Sequence, residues 1–335
     1  MWIKRLGIDL GTANSLVWLA GEGIVLNEPT VVAVSLREKK VLAVGREAKE
    51  MLGRTPGGIV ATRPMREGVI ADYVVTEAML RFFIQKVMGR NYWLKPEVMI
   101  CVPAGCTQVE RRAVLDATLS AGARAAYLID EPLAAAIGAN IPIAEASGNM
   151  ILDVGGGAAE TAVISLGGVV IARSVRVGGN KIDEAIADWV RKKYNLVIGE
   201  QTAEMVKLKI GSATELKPEQ KIEVRGRDTV SGLPREINLS STDITAAVNK
   251  PLSQIVGLVK SVLEEIPPEL SSDIIDKGIV LSGGSSQLIN FHVMLTQETG
   301  VPCHVCEEPM LAVVKGTGIA LENLDLYKRS ISRRR

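Results

Sequence analysis

The chain has 335 residues, of which 47% are hydrophobic and 23% are charged, and its formal net charge at pH 7 is +1. This apolar fraction excludes a disordered chain, and the balanced charge argues against nucleic acid as the main partner, because phosphate backbones are bound by basic surfaces. No apolar run reaches the roughly 18 residues of a membrane-spanning helix, and Asp9 comes too early for the apolar segment of a secretory signal. We therefore predict a cytoplasmic protein, with enough length for about two domains.

Strand-like and helical patterns alternate along the chain without a low-complexity linker, which is typical of an α/β fold. Thr76 is expected to cap a helix that ends at Gly89. The apolar run 100–102 predicts a buried strand, and the capping box Thr107–Glu110 then predicts the start of another helix. Residues 181–194 place apolar side chains at helical spacing, which predicts a helix with one buried face.

An internal repeat is the most informative feature of the sequence. Residues 8–14, IDLGTAN, are similar to residues 152–158, LDVGGGA, and both segments continue as apolar runs broken by glycine. Each copy predicts a strand, a tight glycine turn and a second strand, which together form a β-hairpin. Two copies indicate two similar domains, each presenting one hairpin tip.

Each predicted hairpin combines a carboxylate with a glycine turn, Asp9 in the first copy and Asp153 in the second. Glycine turns let backbone N–H groups approach an anion closely. Two carboxylates beside phosphates suit Mg²⁺, which keeps most of its waters and takes few protein oxygens. One copy alone is more often an ordinary turn, but the duplicated pattern favours a clamp for a polyphosphate.

Glu131 is a further candidate, because it ends an apolar strand and precedes Pro132, a typical first residue of a helix. A carboxylate at a junction between domains could orient or deprotonate a water that attacks a terminal phosphate. The alternative is an acid that only complements the helix dipole.

Two other segments could contact a nucleoside. Residues 279–286 predict a strand, a glycine turn and a helix start, whose backbone could lie along a nucleoside. Glu204 and Lys207 lie three residues apart on one predicted helical face and could hold the ribose and adenine edges. Spacing alone favours a surface ion pair between them.

The cysteines Cys101, Cys106, Cys303 and Cys306 offer four possible thiolate ligands, and His304 adds another candidate. Structural zinc sites more often use two tight CxxC pairs, which this chain does not have. We interpret the cysteines as buried free thiols. With two histidines in the chain, histidine-based triad chemistry is not expected.

These motifs are similar to those of the superfamily of actin, sugar kinases and heat-shock chaperone ATPases. The chain more closely resembles the MreB family of bacterial actin-like rod-shape proteins, over about residues 6–328. The superfamily motifs are residues 7–15, 130–135, 152–157 and 281–285, and the segments typical of the MreB family are residues 25–33, 63–72 and 199–204.

The resemblance implies an α/β, two-lobed actin-like fold in which each lobe has an RNase H-like core and a small subdomain, with the nucleotide in the cleft between the lobes. The implied bounds are residues 1–138 for lobe I, with its small subdomain near 30–65 and a C-terminal completion at 319–335, and residues 139–318 for lobe II, with its core at 139–178 and 241–318 and its small subdomain near 179–240.

The resemblance also implies the roles of individual residues. Asp9 and Asp153 would hold a hydrated Mg²⁺, and Glu131 would orient the hydrolytic water. The residues implied to bind ATP or ADP are Gly11, Thr12, Ala13, Asn14, Ser15, Gly155, Gly156, Gly157, Glu204, Lys207, Gly283, Gly284, Ser285, Ser286 and Lys315. By the same resemblance, the protein would polymerise with ATP into paired antiparallel protofilaments on the inner face of the cell membrane and guide the cell-wall elongation machinery.

One departure from the family pattern concerns hydrolysis. The family usually has threonines after the second glycine turn, and one of them helps to place the attacking water. This chain has Ala158 and Ala159, whose side chains cannot donate a hydrogen bond. We therefore expect a weak ATPase, unless Glu160 or Thr161 takes over this role.

The loop Tyr92, Trp93 and Leu94 predicts a membrane contact, because Tyr and Trp suit the bilayer interface. Family members also use an amphipathic N-terminal helix, which this chain is expected to lack. The alternative is that Trp93 and Leu94 fold back onto the domain. Basic residues near the C-terminus could add attraction to anionic lipid, or form a solvated tail.

Two other functions fit the same motifs. A small-molecule kinase of the sugar-kinase type would use a carboxylate to activate a substrate hydroxyl, but no insertion resembles a sugar pocket. A chaperone ATPase is expected to carry a peptide-binding region after the ATPase, for which the sequence up to Arg335 leaves no room. We therefore favour a filament protein controlled by its ATP cycle.

Overall fold

The computed structural model describes residues 3–38, 40–89, 94–327 and 330–334. Its strands are β1 Arg5–Leu10, β2 Asn14–Leu19, β3 Gly23–Pro29, β4 Val32–Ser35, β5 Lys40–Val44, β6 Ile59–Thr62, β7 Met65–Arg66, β8 Val69–Ile70, β9 Glu97–Val102, β10 Ala125–Asp130, β11 Asn149–Val154, β12 Ala159–Ser165, β13 Gly168–Val175, β14 Leu196–Val197, β15 Lys221–Asp228, β16 Pro234–Ser240, β17 Ile279–Ser282, β18 Cys303–Val305 and β19 Ser332–Arg334. Its helices are α1 Arg46–Glu50, α2 Tyr73–Met88, α3 Gln108–Ser120, α4 Glu131–Gly138, α5 Gly179–Tyr194, α6 Glu200–Ile210, α7 Ser241–Glu265, α8 Pro268–Lys277, α9 Phe291–Thr299, α10 Ala312–Glu322 and α11 Leu324–Tyr327.

Two large mixed sheets share one topology. The first has the strand order β19-β10-β9-β1-β2-β3, and the second has the order β13-β12-β11-β17-β18. In each sheet an antiparallel three-strand meander is followed by two parallel strands beside its first strand. Both meanders carry an irregularity in the pairing of their second and third strands, between Val17 and Trp18 in β2 and between Val163 and Ile164 in β12. The internal repeat in the sequence therefore corresponds to two equivalent hairpins.

Smaller sheets are attached to the two large ones. Strands β5-β4-β6 form an antiparallel sheet that α1 packs against, and β14-β15-β16 form another that α6 packs against. The long hairpin β15–β16 lies within residues 179–240, for which the resemblance implied the small subdomain of lobe II. Helices α1 and α6 both border the cleft between the two large sheets. The small sheets that support these helices therefore set the width of the mouth of the cleft.

Helices α4 and α10 cross between the two large sheets. Apolar side chains from both sheets pack around them, including Tyr127 and Ile129 from the first sheet and Ile151 from the second. The helices approach closely because glycines lie at the crossing: a Cβ on Gly138 would overlap the carbonyl of Ala312, and one on Gly316 would overlap the carbonyl of Ala134. This crossing joins the two halves of the molecule.

The helix starts predicted from the sequence are partly correct. The capping box before α3 is present, with Thr107 and Glu110 bonding reciprocally. The prediction for α2 is wrong at its start, because Asp72 is the cap and its side chain accepts from the Val75 N–H. Thr76 lies one turn inside the helix, where its hydroxyl donates to the Asp72 carbonyl at 2.7 Å. Within the described ranges, no helix is both long and apolar enough to cross a membrane.

Candidate functional site

The two glycine loops, residues 11–13 between β1 and β2 and residues 155–158 between β11 and β12, face each other. A Cβ on Gly156 would come within 2.7 Å of the Ala13 Cβ, and one on Gly157 would overlap the Thr12 hydroxyl. The backbone of the second loop therefore packs directly against the Thr12 and Ala13 side chains of the first loop, and side chains in place of the two glycines would separate the loops. The Thr12 hydroxyl also accepts the Gly68 N–H at 3.0 Å, which fixes the β7–β8 turn beside the loops.

The facing loops form one wall of a cavity of about 500 Å³ between the two large sheets. Most of the site residues predicted from the sequence line this cavity. They are Asp9, Gly11, Thr12, Ala13, Asn14, Glu131, Asp153, Gly155, Gly156, Gly157, Glu204, Lys207, Gly283, Gly284 and Ser285.

The deep end of the cavity is acidic. Burial, reinforced by the neighbouring Asp153 carboxylate, raises the pKa of Asp9 to about 7. Burial also raises the pKa of Asp153 to about 6, although the Ser282 hydroxyl donates to it at 2.7 Å. Neither carboxylate forms an ion pair with any cationic side chain in the parts of the chain that the structure describes. Two buried acids that share a cavity without a counter-ion favour the binding of a cation.

Glu131 lies at the first position of α4, where strand β10 delivers it to the cavity wall. Its pKa is well above its usual range because of burial and then because of the Glu160 carboxylate. Glu160 lies directly opposite Asp153 in the β11–β12 pair, and burial raises its pKa to about 8. It accepts the Ala104 N–H at 3.1 Å and does not line the cavity.

Ala158 lines the same cavity as Glu131 and offers no hydroxyl. Thr161 does not replace it, since its side chain is fully buried and donates to the Ile151 carbonyl at 2.9 Å.

At the other end of the cavity, Glu204 and Lys207 do not pair with each other. Glu204 accepts Lys49 Nζ at 3.1 Å, and Lys49 comes from α1 on the opposite side of the cleft. Lys207 Nζ lies 2.9 Å from Asp183 in α5. The surface pair that the spacing favoured is therefore replaced by two pairs to other helices, and a second cross-cleft pair joins Arg63 to Glu200.

Three residues of the predicted binding set do not line the cavity. Ser15 is buried, and its hydroxyl bonds at 2.9 Å to Thr30, which donates to the Gly11 carbonyl and so supports the first loop from behind. Ser286 is also buried and donates to the Gly283 carbonyl at 2.7 Å. Lys315 pairs with Glu308.

Of the predicted membrane residues, Tyr92 and Trp93 lie outside the described residues. Leu94 is half-buried and packs against the apolar core of the first sheet, in line with the folded-back alternative for this residue.

The four cysteines are free thiols. Among the residues that the structure describes, no three His, Cys, Asp or Glu side chains are placed to hold a metal ion directly. This result leaves the zinc alternative without support.

Sequence reasoning missed the residues that hold the binding side chains in place. Asp183, Lys49, Arg63 and Glu200 all line the cavity. A partner four residues from Asp183 on the same helix would have been visible in the sequence. The actual partner, Lys207, lies 24 positions away on another helix.

Comparison with known proteins identifies the family. Residues 3–329 match the model of the MreB/Mbl protein family. The chain is 51% identical to the cell shape-determining protein MreB of Escherichia coli strain K12, over 98% of this chain and 96% of that protein. It is 47% identical to the cell shape-determining protein Mbl of Bacillus subtilis strain 168, over 99% of this chain and 100% of that protein.

A solved structure supports the same family assignment. MreB5 of Spiroplasma citri bound to AMPPNP matches with a TM-score of 0.93 and 34% identity, over 98% of this chain and 99% of that chain. The fold is therefore the two-lobed actin-like fold, and the likeness favours a cytoskeletal function over a small-molecule kinase. The chain belongs to the MreB/Mbl family of actin-like, cell shape-determining cytoskeletal proteins.

Proposed function

We propose that this chain binds ATP in the cleft, hydrolyses it slowly and uses the cycle to assemble and disassemble filaments of its own copies. The observation that carries the proposal is the pair of facing glycine loops, each preceded by a cavity-lining aspartate. The solved MreB5 relative, crystallised with AMPPNP and with ADP, supports a nucleotide as the ligand of this fold.

The backbone N–H groups of the two loops would bind the phosphates, because glycines leave them open to an anion. Glu204, Lys207 and the 3-10 turn at Gly284–Gln287 border the other end of the cavity and would hold the nucleoside. Ser15 and Ser286 would act from behind by fixing loop carbonyls, and Lys315 is not part of this proposed set.

Asp9 and Asp153 fit a hydrated Mg²⁺, because they are two buried carboxylates with raised pKa values and no protein cation paired to them within the described residues. When bound with the nucleotide, Mg²⁺ would neutralise phosphate charge. Binding a cation here favours the ionised carboxylates and so releases protons near pH 6 to 7.

Glu131 would orient the attacking water and accept its proton. Glu131 lines the cavity where a terminal phosphate would lie, and burial raises the pKa of its carboxyl, which makes the ionised form a stronger base. Ala158 leaves the water with one hydrogen-bond donor fewer than the family pattern provides. This deficit supports slow hydrolysis.

Sedimentation of the purified chain tests the proposal. We expect the chain to pellet as filaments with ATP and Mg²⁺, to release phosphate slowly, and to remain in the supernatant without nucleotide. Glu131→Ala should keep nucleotide-dependent pelleting and lose phosphate release. Absence of pelleting, together with phosphate transfer to an added sugar, would instead establish the kinase alternative.

We also propose that filaments, paired antiparallel, lie on the inner face of the cell membrane and guide the cell-wall elongation machinery. The cell shape-determining relatives and the composition of the loop at 92–94 support this proposal. Co-pelleting with anionic liposomes is expected for the unaltered chain and reduced in a Trp93→Ser/Leu94→Ser variant. Equal pelleting of both would exclude this loop as the anchor.

A further inference from the structure

We infer that Asp183 is a positioning residue for the nucleoside end of the cleft, where it holds the Lys207 ammonium in the direction from which it meets the ligand. The inference rests on the proposed function, because it assigns a role to a residue beside the proposed nucleoside contact. Asp183 belongs to α5 and Lys207 to α6, and both side chains line the cavity.

The contact between the two side chains is close and almost dry. Lys207 Nζ lies 2.9 Å from each carboxylate oxygen of Asp183, and the side chains are 14% and 8% exposed, respectively. The ammonium also donates to the Gly179 carbonyl at 3.2 Å. An ammonium has three N–H donors. Asp183 and Gly179 accept two of these N–H groups, and they thereby fix the direction of the third N–H group of Lys207.

This ion pair is poorly suited to a purely stabilising role. Oδ2 of Asp183 accepts a hydrogen bond from Lys207, while Oδ1, which lies equally close to the ammonium, forms no other polar contact in the described part of the chain. Removing such a pair of charges from water costs free energy, and apolar residues of similar size often stabilise a protein as well or better. A buried ion pair whose carboxyl pKa is raised, placed at a cavity wall, is typical of a binding site.

The same network reaches the second glycine loop. The Gly179 N–H donates to the Gly155 carbonyl at 3.0 Å, and the Ser285 hydroxyl donates to the same carbonyl at 2.9 Å. A continuous chain of contacts therefore runs from Asp183 through Lys207 and Gly179 to the loop that would bind phosphate. Loss of Asp183 should weaken both ends of the site.

The charges around Asp183 make its contribution dependent on pH. Glu200 and Glu204 of α6 face it, and their partners Arg63 and Lys49 come from across the cleft. Burial raises the pKa of Asp183 to about 6, although Lys207 acts in the opposite direction. The carboxylate is therefore ionised at pH 7.5, where the pair is complete, and becomes protonated as the pH falls through about 6, where the pair is lost.

The test is the dissociation constant of Mg-ATP for the full chain, measured at pH 7.5 and pH 5.5. Asp183→Asn should weaken binding at pH 7.5 by roughly tenfold, the effect of one hydrogen bond to a charged group. Asp188→Asn, an exposed position on the same helix, is the matched control and should bind like the unaltered chain. At pH 5.5 the ratio of the dissociation constant of Asp183→Asn to that of the unaltered chain should fall towards one. A structural role would not produce this change.

Other titrating groups, including Asp9 and the nucleotide, affect both proteins equally and cancel in this ratio. If Asp183→Asn unfolds, the double variant Asp183→Leu/Lys207→Met replaces the pair by apolar side chains, and it should fold and bind weakly. The inference would be overturned if either folded variant bound Mg-ATP as tightly as the unaltered chain. It would also be overturned if the ratio of the two dissociation constants did not change with pH. If the unaltered chain binds no nucleotide, the proposed function fails instead.

Discussion

Ala158 is the residue at which this chain departs from the family pattern for hydrolysis. It lines the same cavity as Glu131, and the Thr161 hydroxyl donates to the Ile151 carbonyl. Glu160 is buried opposite Asp153 and uses one oxygen to accept the Ala104 N–H. The structure thus offers no hydroxyl from residues 158–161 to a water in the cavity.

We predict that Ala158→Thr accelerates phosphate release by roughly fivefold to tenfold, the worth of about one added hydrogen bond to the water. Ala158 is half-buried and lines the cavity, so the larger side chain can extend towards the cavity. The control is Ala159→Thr, which adds the same group at a fully buried position of β12 and should not raise the rate. Equal phosphate release by Ala158→Thr and the unaltered chain would show that the missing hydroxyl is not limiting.

Sequence reasoning located residues that belong to a contiguous motif and missed those defined by distant contacts. Asp9 and Asp153 carry their signal locally, as an acid before a glycine turn, and both line the cavity. Asp183 has no local signal, because its partner is on another helix. Ser15 lies within a motif but faces Thr30, since successive side chains of a strand point to opposite faces.

At the scale of the elements, the crossing of α4 and α10 depends on glycine. Both helices are lined by small or apolar residues, a pattern that permits close packing. The partner helix could not be deduced, because α10 lies more than 170 positions further along the chain. The helix pair brings the first residue of α4, Glu131, to the cavity, so its packing bears directly on the proposed catalytic geometry.

We predict that Gly316→Ala destabilises the protein by about 1–3 kcal/mol, the usual cost of forcing an extra methyl group into a packed contact. The added Cβ would overlap the Ala134 carbonyl. Gly257→Ala makes the same change in α7, at an exposed position where an added Cβ would meet no atom of the described residues within 4 Å outside its own helix turn, so helix propensity should stabilise the protein by about 0.5–1 kcal/mol. The midpoints of denaturant unfolding should move in opposite directions. A shift of both midpoints towards higher denaturant concentration would mean that the crossing tolerates a methyl group.

At the scale of the molecule, two ion pairs and a hydrogen bond span the mouth of the cleft. Lys49 lies 3.1 Å from Glu204, Arg63 pairs with Glu200, and the Gln201 amide donates to the Lys49 carbonyl at 3.2 Å. Lys49 and Arg63 come from the side of the β5-β4-β6 sheet. The residues that they contact all belong to α6. Since a nucleotide would enter between these sides, the contacts should slow its exchange.

We predict that Arg63→Glu speeds the release of a fluorescent ATP analogue by roughly threefold to tenfold, because it replaces an attraction of about 0.2–1 kcal/mol with a repulsion of similar size. Release would be followed by stopped flow at a protein concentration below that of filament formation, so that assembly does not contribute.

The charge swap Arg63→Glu/Glu200→Arg restores an attraction across the mouth with the signs exchanged, and it should return the release rate close to that of the unaltered chain. The Arg63 side chain is 18% exposed and that of Glu200 is 53% exposed, so the pair is partly screened and the effect of Arg63→Glu should decrease as salt is raised. A swap that remains as fast as Arg63→Glu would show that Arg63 acts on the nucleotide through its own charge. The rate of exchange would then be set inside the cavity and not by the contacts that close its mouth.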